Sequence, residues 1–157
     1  MVKSLAIFVF STLLVTPAKI DKLSFYKAFE SNSQEKIESK LSSIDKLYDS
    51  SQKDAYAGAL IMKQSQFFET PKEKANRFKV GKELLEKAIL SQPKNPEYRF
   101  LRFAIQENAP KILKYNGNLQ EDKEIIIANF KSLDVVVKKV VQEYSKTSTN
   151  LPSEQLK

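Results

Sequence analysis

Four polar side chains stand close together in an otherwise apolar stretch, and their types could support binding chemistry. At about 100° per residue, Arg99, Arg102 and Gln106 fall on one stripe of a helix that begins at Pro96. The planar guanidinium groups of the two arginines suit a carboxylate on a partner or ligand. The sequence therefore predicts a partner-binding set made of Arg99, Arg102, Gln106 and Glu107.

The same stripe has a second interpretation, in which it attaches the helix to its neighbours. Arg99 and Arg102 would pair with acids on adjacent helices, Gln106 would bond a loop carbonyl, and Asn108 would cap the next segment. Buried charged groups normally need partners, and this general rule favours the second interpretation.

Glu107 raises a separate question, because it lies beside Phe100 and Phe103 on the helical projection. In such surroundings its carboxyl group is expected either to find a cation or to have a raised pKa. Two carboxylates can divide the acid and nucleophile roles of a hydrolase, so a carboxylate-dependent enzyme is an alternative function. Glu107 is its only candidate, and the sequence indicates no second acid.

Residue types that many catalytic and metal sites need are missing. The 157 residues include no His and no Cys, which excludes Ser-His and Cys-His pairs, zinc sites of imidazole or thiolate, and disulfides. The three glycines lie far apart, so they cannot form a glycine-rich phosphate loop. Glu121, Asp122 and Glu124 lack the spacing of a calcium loop and favour a helix start instead. We therefore expect no enzymatic activity, cofactor or metal.

The first residues have the pattern of a signal peptide. Lys3 supplies a positive start, Ser4 to Val15 form an apolar run, and Thr16 to Ala18 offer the small residues of a cleavage site. The apolar run is about 12 residues long, against the roughly 20 that a spanning helix needs. We expect cleavage near Ala18 and export of the protein to the periplasm or the medium.

The net charge of +7 invites an electrostatic function, but its distribution argues against nucleic acid. The 26 basic residues include only three arginines, and acidic residues interrupt nearly every basic cluster. This is unlike a phosphate-reading surface. A lysine-rich envelope-surface protein that weakly contacts anionic lipid or glycan is a further alternative.

Helical spacing of apolar residues continues through most of the chain. Ser51 resembles the start of a capping box, and the third helix is expected to run to about Phe68. Small residues around Gly58 would let a neighbouring backbone come close. Thr70 to Glu73 provide the strongest start signal, with a cap, a proline and a reciprocal glutamate.

The second half of the chain also reads as helix. The fifth helix is predicted from Pro96 to Asn108, and Asn116-Gly117 is expected to close the next short segment with a positive φ. Residues 124–130 contain a β-branched run, but their apolar spacing favours helix over strand. The expected domain organisation is a signal peptide at 1–18, a helical domain at 19–145 and a flexible polar tail at 146–157.

The junction between the fourth and fifth helices resembles the boundary between consecutive tetratricopeptide repeats. Ala88 near the end of one helix, Pro93 at the turn and Tyr98 early in the next match the small, proline and aromatic positions of that family. Gly81 and Leu85 take its upstream positions. The resemblance covers about a third of the chain and implies antiparallel helical hairpins in a tetratricopeptide-like right-handed stack.

Together these observations predict an all-α protein of about six to seven helices. The signal-like start, combined with the stretch FLRFAIQENAPKILKYNGN, also resembles small exported bacterial proteins of uncharacterised function. Repeat-like helix pairs generate concave surfaces. We therefore expect an exported, non-enzymatic interaction or scaffold module whose groove binds a protein or peptide partner.

Overall fold

The computed structural model describes residues 20–48 and 50–156, and these residues contain helices and no β-strand. The predicted all-α class is therefore confirmed, and residues 124–129 are helical as expected. The seven α-helices of the described ranges are α1 (Lys22–Phe29), α2 (Gln34–Asp45), α3 (Ser51–Gln64), α4 (Pro71–Ser91), α5 (Pro96–Asn108), α6 (Leu119–Asn129) and α7 (Val135–Ser145).

Short 3₁₀ helices accompany the α-helices, at Ser65–Phe67, Lys111–Leu113, Phe130–Ser132 and Ser153–Gln155. Within the described ranges, no helix combines the length and the apolar character needed to cross a membrane. The signal peptide predicted at residues 1–18 lies outside these ranges.

α3 and α4 are in direct backbone contact. A Cβ atom placed on Gly58 would lie 2.6 Å from the carbonyl oxygen of Gly81, and one placed on Gly81 would lie 2.5 Å from the carbonyl oxygen of Gly58. Both distances are shorter than van der Waals contact, so neither position has room for a side chain. The expectation that Gly58 admits a neighbouring backbone is confirmed.

Two polar contacts show how these helices are oriented. Arg77, early in α4, donates a hydrogen bond of 2.8 Å to the side chain of Gln64 at the end of α3. Lys87, late in α4, lies 2.9 Å from Asp54 near the start of α3. α3 and α4 therefore run in opposite directions.

The starts of α4 and α5 are capped by their own sequences. Thr70 accepts a hydrogen bond from the backbone N–H of Glu73 (3.2 Å), and Glu73 accepts one from the backbone N–H of Thr70 (3.0 Å). The predicted capping box is thus confirmed. At α5, Asn95 accepts from the backbone N–H groups of Glu97 and Tyr98. These caps satisfy amides that have no partner inside the helix.

The bounds of α3 differ from the prediction at both ends. The N-cap is Ser50, whose hydroxyl accepts from the backbone N–H of Lys53 at 3.1 Å, and not Ser51. α3 ends at Gln64 and the chain tightens into a 3₁₀ turn before Phe68. The hydroxyl of Ser65 donates to the carbonyl of Met62, which satisfies one of the carbonyls left open at the helix end.

The loop between α5 and α6 also differs from the prediction. Asn108 does not cap the next segment; its side-chain amide donates to the carbonyl of Ala104 and to the hydroxyl of Tyr144, both at 2.9 Å. The positive φ of this loop belongs to Lys114 (48°) and not to Gly117. Lys114 reverses the chain at the end of a 3₁₀ helix, and this is where the left-handed conformation is needed.

The segment after α7 returns to the domain. Leu151 is fully buried, and Ser148 and Asn150 donate hydrogen bonds to Glu107 on α5. For residues 146–156 the structure therefore differs from the flexible polar tail that the sequence predicts. Leu151 and the partly buried Leu156 pack this otherwise polar segment against the core.

α5 lies at the centre of the core, and every residue from Glu97 to Gln106 is buried. Aromatic side chains pack around it: the ring centroids of Phe25 and Tyr56 are 4.1 Å apart, and those of Tyr26 and Phe100 are 6.3 Å apart. A helix buried on all sides must satisfy its polar side chains within the protein.

We expect Gly81→Ala to destabilise the protein by about 2 kcal/mol, because overpacking of a closed contact outweighs the gain in helix propensity. Gly58→Ala should act in the same way. The measurement is the free energy of unfolding from urea titration. Gly117→Ala is the matched control, since no atom lies within 4 Å of a Cβ there, and it should change stability by less than about 0.5 kcal/mol. Equal effects at Gly81 and Gly117 would contradict the proposed contact.

Candidate functional site

The two arginines of the predicted set converge on one buried carboxylate. Asp122 on α6 is completely buried and accepts hydrogen bonds from Nε of Arg102 (2.8 Å), Nη2 of Arg102 (2.7 Å) and Nη1 of Arg99 (3.0 Å). The bond pair from Arg102 is bidentate, a strong geometry for a guanidinium and a carboxylate. Arg99 and Arg102 are 5% and 4% exposed, so this network lies inside the protein.

Further acids extend the network to α4 and to the surface. Arg102 donates to Glu86 (2.7 Å), which also accepts from the hydroxyl of Tyr115 (2.6 Å). Burial disfavours the charge on Arg102, but Asp122 and Glu86 outweigh this effect and raise the pKa of the guanidinium.

Glu121 extends the network toward the surface. Burial acts to raise the pKa of Glu121, yet hydrogen bonds from Asn118 and Arg99 bring it below its ordinary value. The network therefore connects α4, α5 and α6 through hydrogen bonds and ion pairs.

Gln106 fixes the turn that leads into α6. Its side-chain carbonyl accepts from the backbone N–H of Asn118 (3.1 Å), and its side-chain amide donates to the carbonyl oxygen of the Asn118 side chain (3.1 Å). The sequence predicted a bond to a loop carbonyl; the partner is instead the backbone and side chain of one residue. The side chain of Asn118 is used here and toward Glu121, and it makes no cap bond to α6.

Glu107 belongs to a second network at the far end of α5. It accepts hydrogen bonds from the hydroxyls of Tyr144 and Ser148 and from the backbone and side-chain amides of Asn150. Burial acts to raise its pKa, but these four donors lower it below the ordinary value. The expectation of a cation or a raised pKa is therefore wrong, because neutral donors stabilise the carboxylate equally well.

The alternative of a carboxylate-dependent enzyme required a second acid near Glu107. In the described ranges, the groups that donate hydrogen bonds to Glu107 are hydroxyls and amides. In the same ranges, no group of three or more acidic side chains is arranged to hold a metal ion. Glu107 thus joins the C-terminal segment to α5.

A second buried carboxylate, Glu97, was not among the predicted site residues. It accepts from Nζ of Lys22 (2.7 Å), from the hydroxyl of Tyr26 (3.2 Å) and from the hydroxyl of Tyr56. Burial, assisted by the negative charge of Glu97, raises the pKa of both tyrosines, so both phenols remain donors. The network holds α1 and α3 against the start of α5.

An open apolar groove lies on a different side of α5 from the arginine network. It has a volume of about 640 Å³ and is bounded by the ends of α1 and α3, the first half of α4, α5, residues 109–113 and α7. Its apolar lining includes Phe29, Met62, Phe78, Phe100 and Ile105. None of Arg99, Arg102, Gln106 or Glu107 lines it. The structure places these four side chains in hydrogen-bond networks beside the groove and not in it.

The rim of the apolar groove carries one strongly exposed apolar side chain and three charges. Ile112 is 88% exposed at the tip of the loop after α5. Glu30, Lys63 and Lys74 are the charged residues among the lining. Tyr144 connects the groove with the Glu107 network, since its ring lines the groove and its hydroxyl donates to Glu107.

Sequence patterns could indicate only part of this arrangement. Asp122 lies in a cluster of first-turn acids that normally favours a helix start, and nothing local distinguishes it from its exposed neighbour Glu121. The groove is made by residues from five helices, and its lining residues have the same types as core residues. The burial of Asp122 and the position of the groove both depend on which helical faces meet in three dimensions.

We expect Asp122→Asn to destabilise the protein by about 3 kcal/mol, because it leaves two buried guanidinium groups without their shared counter-charge. The free energy of unfolding from urea titration checks this. Glu143→Gln removes an acid from an exposed pair with Lys146 and serves as the control, with an expected change below about 1 kcal/mol. If Asp122→Asn lowers the free energy of unfolding as little as the control does, Asp122 is not the counter-charge that both arginines need.

The lowered pKa of Glu107 predicts a dependence of stability on pH. A carboxyl group with a lowered pKa in the folded state stabilises the protein above its unfolded pKa of about 4.3, and this contribution is lost as pH falls through the folded pKa. Glu107→Gln should therefore flatten the loss of stability below about pH 4.5. Urea midpoints measured between pH 3 and pH 7 test this, and an unchanged acid-side slope would refute it.

Comparison with protein-family models, curated proteins and solved structures finds no match to this chain.

Proposed function

We propose that the protein is an exported, non-enzymatic interaction module that binds an apolar segment of a partner protein. The observation that carries this proposal is the apolar groove, an open concave site with aromatic and aliphatic lining. Its volume of about 640 Å³ lies within the roughly 300–1,000 Å³ range of ligand sites in proteins. Apolar anchors of a helical or extended segment dock into grooves of this kind.

The four predicted site residues take part in this proposal by positioning the groove. Arg99, Arg102 and Gln106 attach α5 to α4 and α6, and α5 in turn presents Phe100 and Ile105 to the groove. Glu107 holds the Tyr144 hydroxyl and so fixes one side of the groove. A partner would contact the surface that these residues support.

A tetratricopeptide-like right-handed stack is part of the proposal. The oppositely directed α3 and α4, followed by the capped turn into α5, support it. Ala88 is completely buried at the end of α4, and Tyr98 is 3% exposed near the start of α5, as that packing requires. Such stacks present concave surfaces to protein segments.

Export is the proposed location. The support comes from the sequence of residues 1–18, with its positive start, its short apolar run and its small residues before the cleavage point. The absence of Cys means that an exported chain would depend on packing and on its buried ion pairs for stability.

The test uses random 12-residue peptides selected for binding to the protein and measured by fluorescence polarisation. Ile112→Asp places a charge on the rim and should weaken selected peptides about tenfold or more, because apolar anchors must then lie beside a carboxylate. Ala75→Arg, an exposed position that lines the groove, should block binding as well.

Leu90→Asp is the matched control, because Leu90 is 80% exposed and does not line the groove. It should leave peptide binding unchanged. Equal binding by wild type, Ile112→Asp and Ala75→Arg would overturn the proposed function. Circular dichroism of each variant confirms that the helices remain folded.

A further inference from the structure

One end of the apolar groove carries a lysine in an unusual position. Lys63 lies in the last turn of α3, is partly buried and lines the groove. Its Nζ atom lies 6.0 Å from the ring centroid of Phe29, which also lines the groove. Within the described ranges no acidic oxygen lies within ion-pair distance of Lys63. A cation held beside apolar side chains is therefore left with a weak aromatic contact.

Three basic residues that are buried or partly buried elsewhere in the fold have acidic partners. Lys22 reaches Glu97 at 2.7 Å, and Arg99 and Arg102 share Asp122. Burial lowers the pKa of Lys63, which shows the cost of holding its charge without an anion. Unlike these three basic residues, Lys63 lines the groove without an ion-pair partner among the described residues.

The remaining charges of the groove favour an anionic partner. Lys74, on the first turns of α4, adds a second positive charge to the lining, and Glu30 supplies the single negative charge. Burial raises the pKa of Glu30, so this acid too is poorly compensated in its ionised form. Two lysines against one glutamate leave the lining with a net positive charge, within a chain of net charge +7.

Resting on the proposed function, we propose that the segment bound in the apolar groove carries a carboxylate next to its apolar anchors, and that this carboxylate pairs with Lys63, with Lys74 contributing. The apolar anchors fill the part of the groove lined by Phe78, Phe100 and Ile105. The carboxylate meets the lysines at the ends of α3 and α4. It is either an Asp or Glu side chain or the C-terminal carboxylate of the segment.

Two peptide libraries distinguish these sources. Random 12-residue peptides are displayed in one library within a longer chain, and in the other with a free C-terminus. Enrichment of Asp or Glu beside Leu, Ile or Phe in the first library identifies a side chain. Enrichment of apolar C-terminal residues in the second library alone identifies a terminal carboxylate. Apolar peptides without either feature would overturn the inference.

A double-mutant cycle then tests the pair directly. For a side-chain carboxylate the peptide change is Glu or Asp to its amide; for a terminal one it is C-terminal amidation. We expect Lys63→Met to weaken the carboxylate peptide about tenfold or more, since a charge-assisted hydrogen bond is lost. The amide peptide should bind wild type and Lys63→Met equally. Equal losses for both peptides would show that Lys63 matters only through packing, and would overturn the inference.

The matched control is Lys79→Met, because Lys79 is an exposed lysine on α4 that does not line the groove. It should leave both peptides unaffected. Lys63→Glu should reverse the preference toward Lys or Arg in a repeated selection. Retention of binding by Ile112→Asp and Ala75→Arg would instead refute groove binding itself, so failure of the function and failure of the charge pairing give different results. Failure to select any peptide on wild type would overturn both.

Discussion

The position of α5 depends on the ion pair between Asp122 and two arginines. A helix that is buried around its whole circumference cannot leave guanidinium groups unpaired, because the cost of an uncompensated buried charge is several kcal/mol. Arg99 and Arg102 meet this requirement with one carboxylate from α6, and Arg102 adds a second from Glu86 on α4. The polar side chains of α5 are thereby paired inside the protein. Apolar residues of α5 line the groove.

The contact between Gly58 and Gly81 supplies a second, independent constraint. It brings the backbones of α3 and α4 together without any polar contribution, and the polar contacts at the two ends of this pair then set its direction. Since α3 and α4 both contribute residues to the groove, their separation determines its width. The arginine network and the glycine contact thus fix different boundaries of the same site.

Some local signals predict structure correctly because the partner of the residue lies within one helical turn, although at α3 the cap is Ser50 and not its neighbour Ser51. The Thr70 capping box was predicted and confirmed for this reason, because Glu73 is its only requirement. Asn108 was misread because an amide at a helix end can cap the next segment or turn back to its own helix, and the choice depends on Tyr144, which is distant in sequence. The positive φ was assigned to Gly117 because glycine tolerates it best, whereas the loop geometry requires it at Lys114.

In the candidate site, too, the sequence does not predict side-chain partners that lie far away along the chain. The stripe of Arg99, Arg102 and Gln106 followed from helical periodicity, but their partners lie on other helices, and α6 shows two adjacent acids of which only Asp122 is buried. The prediction for Glu107 is wrong because uncharged donors, and not a cation, stabilise its carboxylate. The hydroxyl and amide donors come from the C-terminal segment, whose mostly polar sequence gives little sign that Leu151 and Leu156 pack against the core.

Glu107 also links two parts of the molecule that the sequence presents as unrelated. Its carboxylate accepts from Tyr144, which lines the groove, and from Ser148 and Asn150, which precede the buried Leu151. Rotation of the tyrosine ring away from the groove would break a charge-assisted hydrogen bond, and release of the C-terminal segment would remove the remaining donors. The shape of the groove therefore depends on a segment that contributes no residue to its lining, and the two are coupled through one carboxylate.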